Sequence, residues 1–167
     1  METEKKISEM PGKRQAFENA MQISFDALSV NEAFARITVA AFVAPLNPTL
    51  EEISDIKTAV SEAVTNAIIH GYDEKKPGEK KQVHMKCEIC GDVFLVEIRD
   101  EGKGIEDIEQ AMQPLFTTKP ELERSGMGFA FMEAFMDDLE VESVVGSGTV
   151  ISMKKKLGTS SWLKYED

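Results

Sequence analysis

The sequence predicts an α/β (α+β) fold, a two-layer sandwich in which helices cover one face of a mixed, mostly antiparallel sheet. Segments that alternate apolar and polar residues come in two pairs, and a short turn with glycine joins each pair, as in β-hairpins. Two segments with helical apolar spacing lie together in the first half of the chain. Hairpins in one layer and helices in the other bury their apolar faces against each other.

The first predicted elements of the fold are a strand and a helix. Residues alternate between apolar and polar from Met21 onward, which is typical of a strand. Ser29 and Glu32 then have the spacing of a capping box, in which both side chains satisfy backbone N–H groups of a new helix. Pro45 ends this first helix, because proline cannot continue the backbone hydrogen bonding.

The second helix is predicted to be the longer one. Thr49 and Glu52 form another capping-box pattern, and the residues that follow keep a helical apolar spacing. Gly71 is placed to end this helix as a C-terminal cap. The charged stretch 73–81 contains a Pro-Gly pair and is predicted to be a loop.

The second half of the chain is predicted to hold two hairpins separated by helices and a loop. In chain order these are strands 83–90 and 93–100, a short helix 105–112, a loop 113–125, an apolar helix 126–138, and strands 139–145 and 149–155. We therefore expect a single domain over residues 17–157. A flexible arm over 1–16 and a tail over 158–167 flank it.

Composition excludes several classes of protein. The chain has 167 residues, and 19 Lys and Arg against 30 Asp and Glu give a formal net charge of −11. A generic nucleic-acid binder carries a basic surface, so we expect no direct contact with nucleic acid. Apolar runs are far shorter than the ~20 residues of a membrane span, and the N-terminus lacks the apolar stretch of a signal peptide. We expect a cytoplasmic protein without a membrane segment.

Cys87 and Cys90 have the C-x-x-C spacing of many zinc and redox sites. The chain has 2 Cys and 2 His in total, so cysteines alone cannot build a closed four-ligand site. The segment also alternates as a strand does, which would point the two thiols to opposite faces. Two reduced strand cysteines are the favoured interpretation.

Glu62 and Asn66 lie four residues apart in the long predicted helix, so both side chains project from one face. A carboxylate can orient or deprotonate a nucleophile, and an amide oxygen one turn later is a hard ligand suited to Mg²⁺. Ordinary residues of a polar helix face would give the same pattern, so both interpretations stay open.

Two glycine-containing segments are candidates for ligand binding. Asp100 begins a D-x-G-x-G pattern at a strand end, where its carboxylate can accept a hydrogen bond from an exocyclic amine such as that of adenine. The same pattern is also compatible with a simple acidic turn. Arg124, Gly126 and Gly128 stand at the start of a predicted helix, where backbone amides and the helix dipole favour an anion. The spacing is not that of a Walker-A loop.

The combination of these segments in this order resembles the Bergerat ATP-binding fold of the GHKL superfamily, which gyrase, Hsp90, histidine kinases and MutL proteins share. Blocks 61–72 and 114–128 are similar to the anti-sigma F factors of endospore-forming bacteria, and the likeness extends over about residues 20–155. This resemblance implies a protein serine kinase that also binds and inhibits a sporulation sigma factor.

The resemblance also assigns roles to residues. Glu62 matches the general base, Asn66 the Mg²⁺ ligand and Asp100 the acid that reads adenine. Arg124 matches a second catalytic residue near the γ-phosphate, within a lid over the phosphates. The remaining positions implied to bind ATP or ADP are Gly102, Gly104, Thr117, Thr118, Lys119, Ser125, Gly126, Met127, Gly128 and Thr149.

The implied partners are sigma factor F and an anti-anti-sigma factor that is phosphorylated on serine, with the protein acting as a homodimer. Arg36 is the candidate partner contact, although a solvated helix arginine is an equal interpretation. Two alternatives remain, a nucleotide-binding anti-sigma adaptor with little kinase activity and the related general-stress anti-sigma kinase. A histidine kinase is disfavoured, because the first 50 residues contain no His to accept phosphate.

Overall fold

Strands and helices follow one another in the computed structural model in the predicted order. The structure describes residues 18–72, 78–115 and 127–158. Its strands are β1 (Glu18–Asp26), β2 (Gln82–Cys90), β3 (Val93–Asp100), β4 (Asp138–Val144) and β5 (Gly148–Lys156). Its helices are α1 (Asn31–Val43), α2 (Leu50–Asn66), α3 (Ile108–Ala111) and α4 (Gly128–Phe135), with a 3₁₀ turn at Ala44–Leu46 and a π-helical turn at Ala67–Gly71.

The strands form one five-stranded sheet in the order β1-β2-β3-β5-β4. Every neighbouring pair is antiparallel, so over the described ranges the sheet is wholly antiparallel, where the sequence predicted a mixed, mostly antiparallel one. The α/β class and the sandwich architecture are confirmed. In the register, Asp100 at the end of β3 lies opposite Thr149 of β5, which brings two predicted site residues side by side.

The core lies between one face of the sheet and the helices. Inward residues of β2 and β3 alternate with outward ones, as Met85 and Ile98 illustrate, and both are fully buried. On the helical side, Ile56, Val60 and Val64 recur at helical spacing on α2 and are also fully buried. Helix α2 packs against α1, α4 and β3. It is therefore the central element of the helical layer.

The two predicted capping boxes have opposite outcomes. The box at Thr49 is confirmed, because the Glu52 N–H donates to the Thr49 hydroxyl (3.1 Å) and the Thr49 N–H donates to the Glu52 carboxylate (2.8 Å). The box at Ser29 is wrong. Helix α1 starts at Asn31 without a side-chain cap, and Glu32 instead accepts a hydrogen bond from the Ser61 hydroxyl (2.7 Å) on α2. A contact between helices replaces the local one.

Three predicted helix ends also change. Gly71 ends the π-helical turn without a positive φ, so it is not a left-handed cap. Helix α3 has four residues, 108–111, within the predicted 105–112. Helix α4 ends at Phe135 and not at the predicted Asp138, because Asp138 is the first residue of β4 and pairs with β5.

Cys87 is buried, Cys90 is exposed, and both are free thiols, as predicted for strand cysteines on opposite faces. Burial raises the pKa of the Cys87 thiol to about 12, which keeps it protonated and unreactive. In the part of the chain that the structure describes, no three His, Cys, Asp or Glu residues converge as a metal site would require. No helix within those ranges is long and apolar enough to cross a membrane.

Candidate functional site

Asp100 is the buried acid of the site. Its side chain is 6% exposed, and one carboxylate oxygen accepts the Gly102 N–H at 2.9 Å. Burial raises the pKa of Asp100 to about 6, although hydrogen bonds from the Gly102 and Thr149 amides act in the opposite direction. A buried carboxylate that is ionised at neutral pH has lone pairs beyond those that these two amides use, so it can accept a further hydrogen bond from a ligand.

Glycines let the backbone approach Asp100 closely. A Cβ atom on Gly71 would lie 2.8 Å from the Asp100 Cγ, and a Cβ on Gly102 would lie 1.7 Å from the Gly71 carbonyl oxygen. The Lys103 N–H donates to that same carbonyl at 2.8 Å. Gly71, which the sequence predicted to be a helix cap, therefore leaves room for the Asp100 carboxylate. The D-x-G-x-G turn packs directly against the π-helical turn that follows α2.

Gly104 is the residue of this turn that needs left-handed backbone. Its φ is +77°, a region that side chains with a Cβ rarely adopt, and an added Cβ would lie 2.4 Å from the Val144 carbonyl oxygen. The Gly146 N–H also donates to the Lys103 carbonyl at 2.7 Å. The turn after β3 is thus held between α2 on one side and the β4–β5 connection on the other.

Tyr72 supports the turn from the α2 side and was missed by the sequence reasoning. Its hydroxyl donates to the Gln82 carbonyl (2.5 Å) and accepts the Glu101 N–H (2.8 Å). Burial raises the pKa of this phenol above its ordinary value, so it stays a neutral donor and acceptor. No pattern in the sequence marks a tyrosine at the end of a helix as a bridge between two later segments.

Ser143 supports the site from the β4 side and was also missed. It accepts the Ile105 N–H (2.8 Å) and lies 2.8 Å from the Thr149 hydroxyl oxygen. A signal existed in the sequence, because Ser143 follows Leu139 and Val141 at the inward positions of β4, where apolar residues are expected. A polar residue at such a position must find partners.

Glu62 and Asn66 mark the other end of the site. Both lie on α2 facing the start of α4, since a Cβ on Gly128 would be 3.2 Å from a Glu62 carboxylate oxygen and 3.4 Å from the Asn66 amide oxygen. The predicted pair on one helix face is therefore present. Gly71 follows Glu62 by nine residues, about 13 Å along a helix axis. Helix α2 thus connects two polar ends that suit an elongated ligand.

The N-terminus of α4 adds positive potential at the Glu62 end. Gly128 begins the helix beside Glu62 and Asn66, and the first amides of a helix carry partial positive charge. Such amides bind phosphates and other anions. The structure describes Met127 and Gly128 of the predicted anion site, which stays a prediction.

The Asn66 amide oxygen also suits a magnesium ion. It is a hard oxygen donor, and it lies beside the start of α4. Mg²⁺ in nucleotide sites takes one or two protein ligands and completes its shell with phosphates and water, so a larger cluster of acids is not required. The Asn66 oxygen therefore suits the ion.

Arg36 lies on α1 and is partly exposed. It forms an ion pair with Glu32 (3.4 Å), and Glu32 accepts the Ser61 hydroxyl next to Glu62. Arg36 thus pairs within α1, and the hydrogen bond between Glu32 and Ser61 links α1 to α2. Six predicted site residues lie outside the described residues, namely Thr117, Thr118, Lys119, Arg124, Ser125 and Gly126. The predicted arm 1–16 and tail residues 159–167 lie outside them too.

Known proteins share this chain's sequence and fold. Residues 27–155 match the family model described as a histidine kinase-like ATPase domain. The anti-sigma F factor of Clostridium botulinum strain Eklund 17B is 57% identical over 145 residues, which cover 87% of this chain and 99% of that protein. The anti-sigma F factor of Heyndrickxia coagulans is 58% identical over 146 residues, covering 87% and 97%.

A solved structure has the same fold at low sequence identity. The RsbU and RsbW domains of a Mycobacterium tuberculosis protein superpose with a TM-score of 0.60 and 19% identity, over 83% of this chain and 32% of that one. Family match and identity thus extend over the segments that carry Glu62, Asp100 and Thr149. The chain belongs to the histidine kinase-like ATPase domain family and, within it, to the anti-sigma F factors.

Proposed function

We propose that this protein is an anti-sigma factor and a protein serine kinase. It binds and inhibits sporulation sigma factor F, and it phosphorylates the anti-anti-sigma factor on serine with ATP and Mg²⁺. One observation carries the proposal. Helix α2 holds Glu62 and Asn66 against the start of α4, and Gly71, at the end of the π-helical turn that follows α2, packs against Asp100. The carboxylate that acts on the serine and the carboxylate that binds adenine are therefore positioned by one continuous helical segment.

Asp100 accepts a hydrogen bond from the exocyclic amine of adenine. Its carboxylate is buried, and its pKa of about 6 leaves it ionised at neutral pH. Gly102 and Gly104 let the turn approach the base, and Thr149 lies beside Asp100 in the register. The ionised acid disfavours a base that presents a carbonyl oxygen at the same place, because two acceptors face each other.

The phosphates lie at the start of α4. The amides of Gly126, Met127 and Gly128 cradle them, with the helix dipole favouring their charge. Residues 116–125 close over them as a lid, in which Thr117, Thr118, Lys119 and Ser125 contact the nucleotide. These local interactions outweigh the distant repulsion from a chain of net charge −11, which salt screens beyond about 8 Å.

Glu62 orients the serine hydroxyl of the partner and takes its proton. The serine oxygen forms a bond to the γ-phosphorus as the bond from that phosphorus to the β-phosphate oxygen breaks, which leaves phosphoserine and ADP. Arg124 and the α4 amides stabilise the charge that spreads over the transferred group. When bound at Asn66, Mg²⁺ neutralises phosphate charge and fixes the phosphates in place.

Both partners dock on one ATP-binding domain, which we assign to residues 17–157. The protein acts as a cytoplasmic homodimer, and Arg36 on α1 contacts the partner. An acidic surface suits a basic, DNA-binding sigma factor, since opposite charge speeds association. Neither membrane nor nucleic acid is bound directly.

The test is transfer of labelled γ-phosphate from ATP to the anti-anti-sigma factor. Glu62→Ala abolishes transfer and leaves ATP affinity within a few-fold of wild type, because the Glu62 carboxylate acts on the partner's serine and does not contact adenine. Glu51→Ala, an exposed acid on the first turn of the same helix, is the matched control and keeps full transfer. Transfer at the wild-type rate by the Glu62 variant would refute the mechanism.

Other outcomes separate the related functions. ATP binding by the wild type without phosphoserine formation would identify a nucleotide-binding adaptor. Inhibition of a general-stress sigma factor in preference to the sporulation one would identify the related stress regulator. Both measurements use the same purified chain, so the three functions are compared under one condition.

A further inference from the structure

Three polar side chains lie next to one another across the sheet at the base end of the site. Ser143 of β4 pairs with Thr149 of β5, and Thr149 pairs with Asp100 of β3. Thr149 and Asp100 are 7% and 6% exposed, and Ser143 is half-buried. They form a continuous polar row in a layer that is otherwise apolar. Asp100 and Thr149 have roles in the proposed function, and Ser143 has none.

The hydroxyl of Ser143 has one proton and three neighbours. The Ile105 N–H donates to its oxygen at 2.8 Å, and the hydroxyl itself donates to the Gly148 carbonyl at 3.1 Å. The Thr149 hydroxyl oxygen lies 2.8 Å away. A backbone N–H only donates and a carbonyl only accepts. All four groups are paired together in one arrangement, in which the Thr149 hydroxyl donates its proton to Ser143.

This arrangement uses the only proton of Thr149. On its other side the Thr149 oxygen then presents lone pairs and no donor. Ionised Asp100 beside it is also an acceptor. Two adjacent acceptors suit an exocyclic amine, which carries two hydrogens and reaches the second acceptor directly or through water. A carbonyl oxygen at the same place would face acceptors only and would lose its hydrogen bonds to water without replacement.

We propose that Ser143 is a positioning residue that fixes the hydrogen-bond polarity of Thr149, so that the base site selects a 6-aminopurine over a 6-oxopurine. The inference rests on the proposed function, since it requires the base to lie against Asp100 and Thr149. Ser143 acts through Thr149 and touches neither the phosphates nor the reacting atoms. Its bond to the Ile105 amide also holds the turn that contains Gly104.

The experiment measures dissociation constants of ATP and inosine triphosphate by calorimetry on the full chain. Inosine triphosphate differs from ATP in carrying a carbonyl oxygen at C6 and a hydrogen on the adjacent nitrogen. In Ser143→Ala the Thr149 hydroxyl is free to rotate and to donate, so the preference for ATP falls about tenfold, the effect of one hydrogen bond. Ser143→Thr keeps a hydroxyl and retains the preference. Ser152→Ala, on the outward face of β5, is the control and changes nothing.

The ratio of the two constants separates positioning from simple support. If Ser143→Ala weakens both nucleotides equally, Ser143 is only a structural residue and the inference is overturned. If that variant does not fold, Thr149→Val removes the same acceptor and must also lower the preference; an unchanged ratio would overturn the inference. If the wild type and Ser143→Ala prefer ATP to the same degree, only this inference is overturned. If the wild type binds neither nucleotide, the proposed function is overturned as well.

Discussion

Asp100→Asn tests the buried acid through its effect on stability. The pKa of Asp100 rises from 3.8 to about 6 because burial disfavours the charged form. Between these values the folded chain binds more protons than the unfolded chain, so the free energy of unfolding falls as the pH rises. A shift of about two units corresponds to about 3 kcal/mol when titration is complete. Asparagine keeps the shape of the side chain and does not titrate.

The wild type should therefore lose about 2–3 kcal/mol relative to Asp100→Asn between about pH 4 and pH 8. The assay is urea unfolding followed by circular dichroism, without nucleotide, on either side of the isoelectric point of about 4.7, where net charge keeps the chain in solution. The difference between the two proteins removes the contribution of the other acids. Parallel profiles for both proteins would refute a raised pKa at Asp100.

Two further substitutions test the close backbone contact and the helix start. Gly102→Ala places a Cβ 1.7 Å from the Gly71 carbonyl oxygen, so it should destabilise the chain by roughly 1–3 kcal/mol and abolish ATP binding. Gly146→Ala is the control, because its Cβ meets nothing within 4 Å and its cost comes from positive φ, which Gly102 does not have; equal ATP binding by both variants would contradict the contact. Thr49→Ala removes the capping box and should cost about 1 kcal/mol in urea unfolding with ATP affinity unchanged. Ser54→Ala, exposed on the same helix, is its control, and equal stability of the two variants would count against the cap.

Local patterns predicted most of the secondary structure, because their signals depend on neighbouring residues. The hairpin of β2 and β3 followed from alternation and the Gly91 turn, and the Thr49 box from the three-residue separation of Thr49 and Glu52. The Ser29 box failed for a reason that is not local. Glu32 is taken by Ser61, which lies 29 residues away and reaches it only when α1 packs on α2. A competing partner from another helix overrides a local cap.

The candidate site was predictable in its types of residue and only partly in its supports. Glu62, Asn66 and Asp100 have spacings that sequence reasoning can recognise. Tyr72 forms hydrogen bonds with Gln82 and Glu101, and no sequence spacing predicts a hydrogen bond between segments so far apart in the chain. Ser143 gave a weak signal as a polar residue at an inward strand position, and its partners came from pairing β4 with β5.

Sequence by itself determined the layers of this protein, the order of its elements and the identity of its chemical groups, because periodicity, turn residues and side-chain chemistry are local properties. Tertiary structure decided which groups meet. Gly71, predicted to be a helix cap, lies against Asp100 and leaves room for its carboxylate. Gly128 lies against Glu62 and Asn66, and Ser143 lies next to Thr149. Each of these contacts joins segments far apart in the chain, so it exists only once the sheet register and the packing of α2 are fixed.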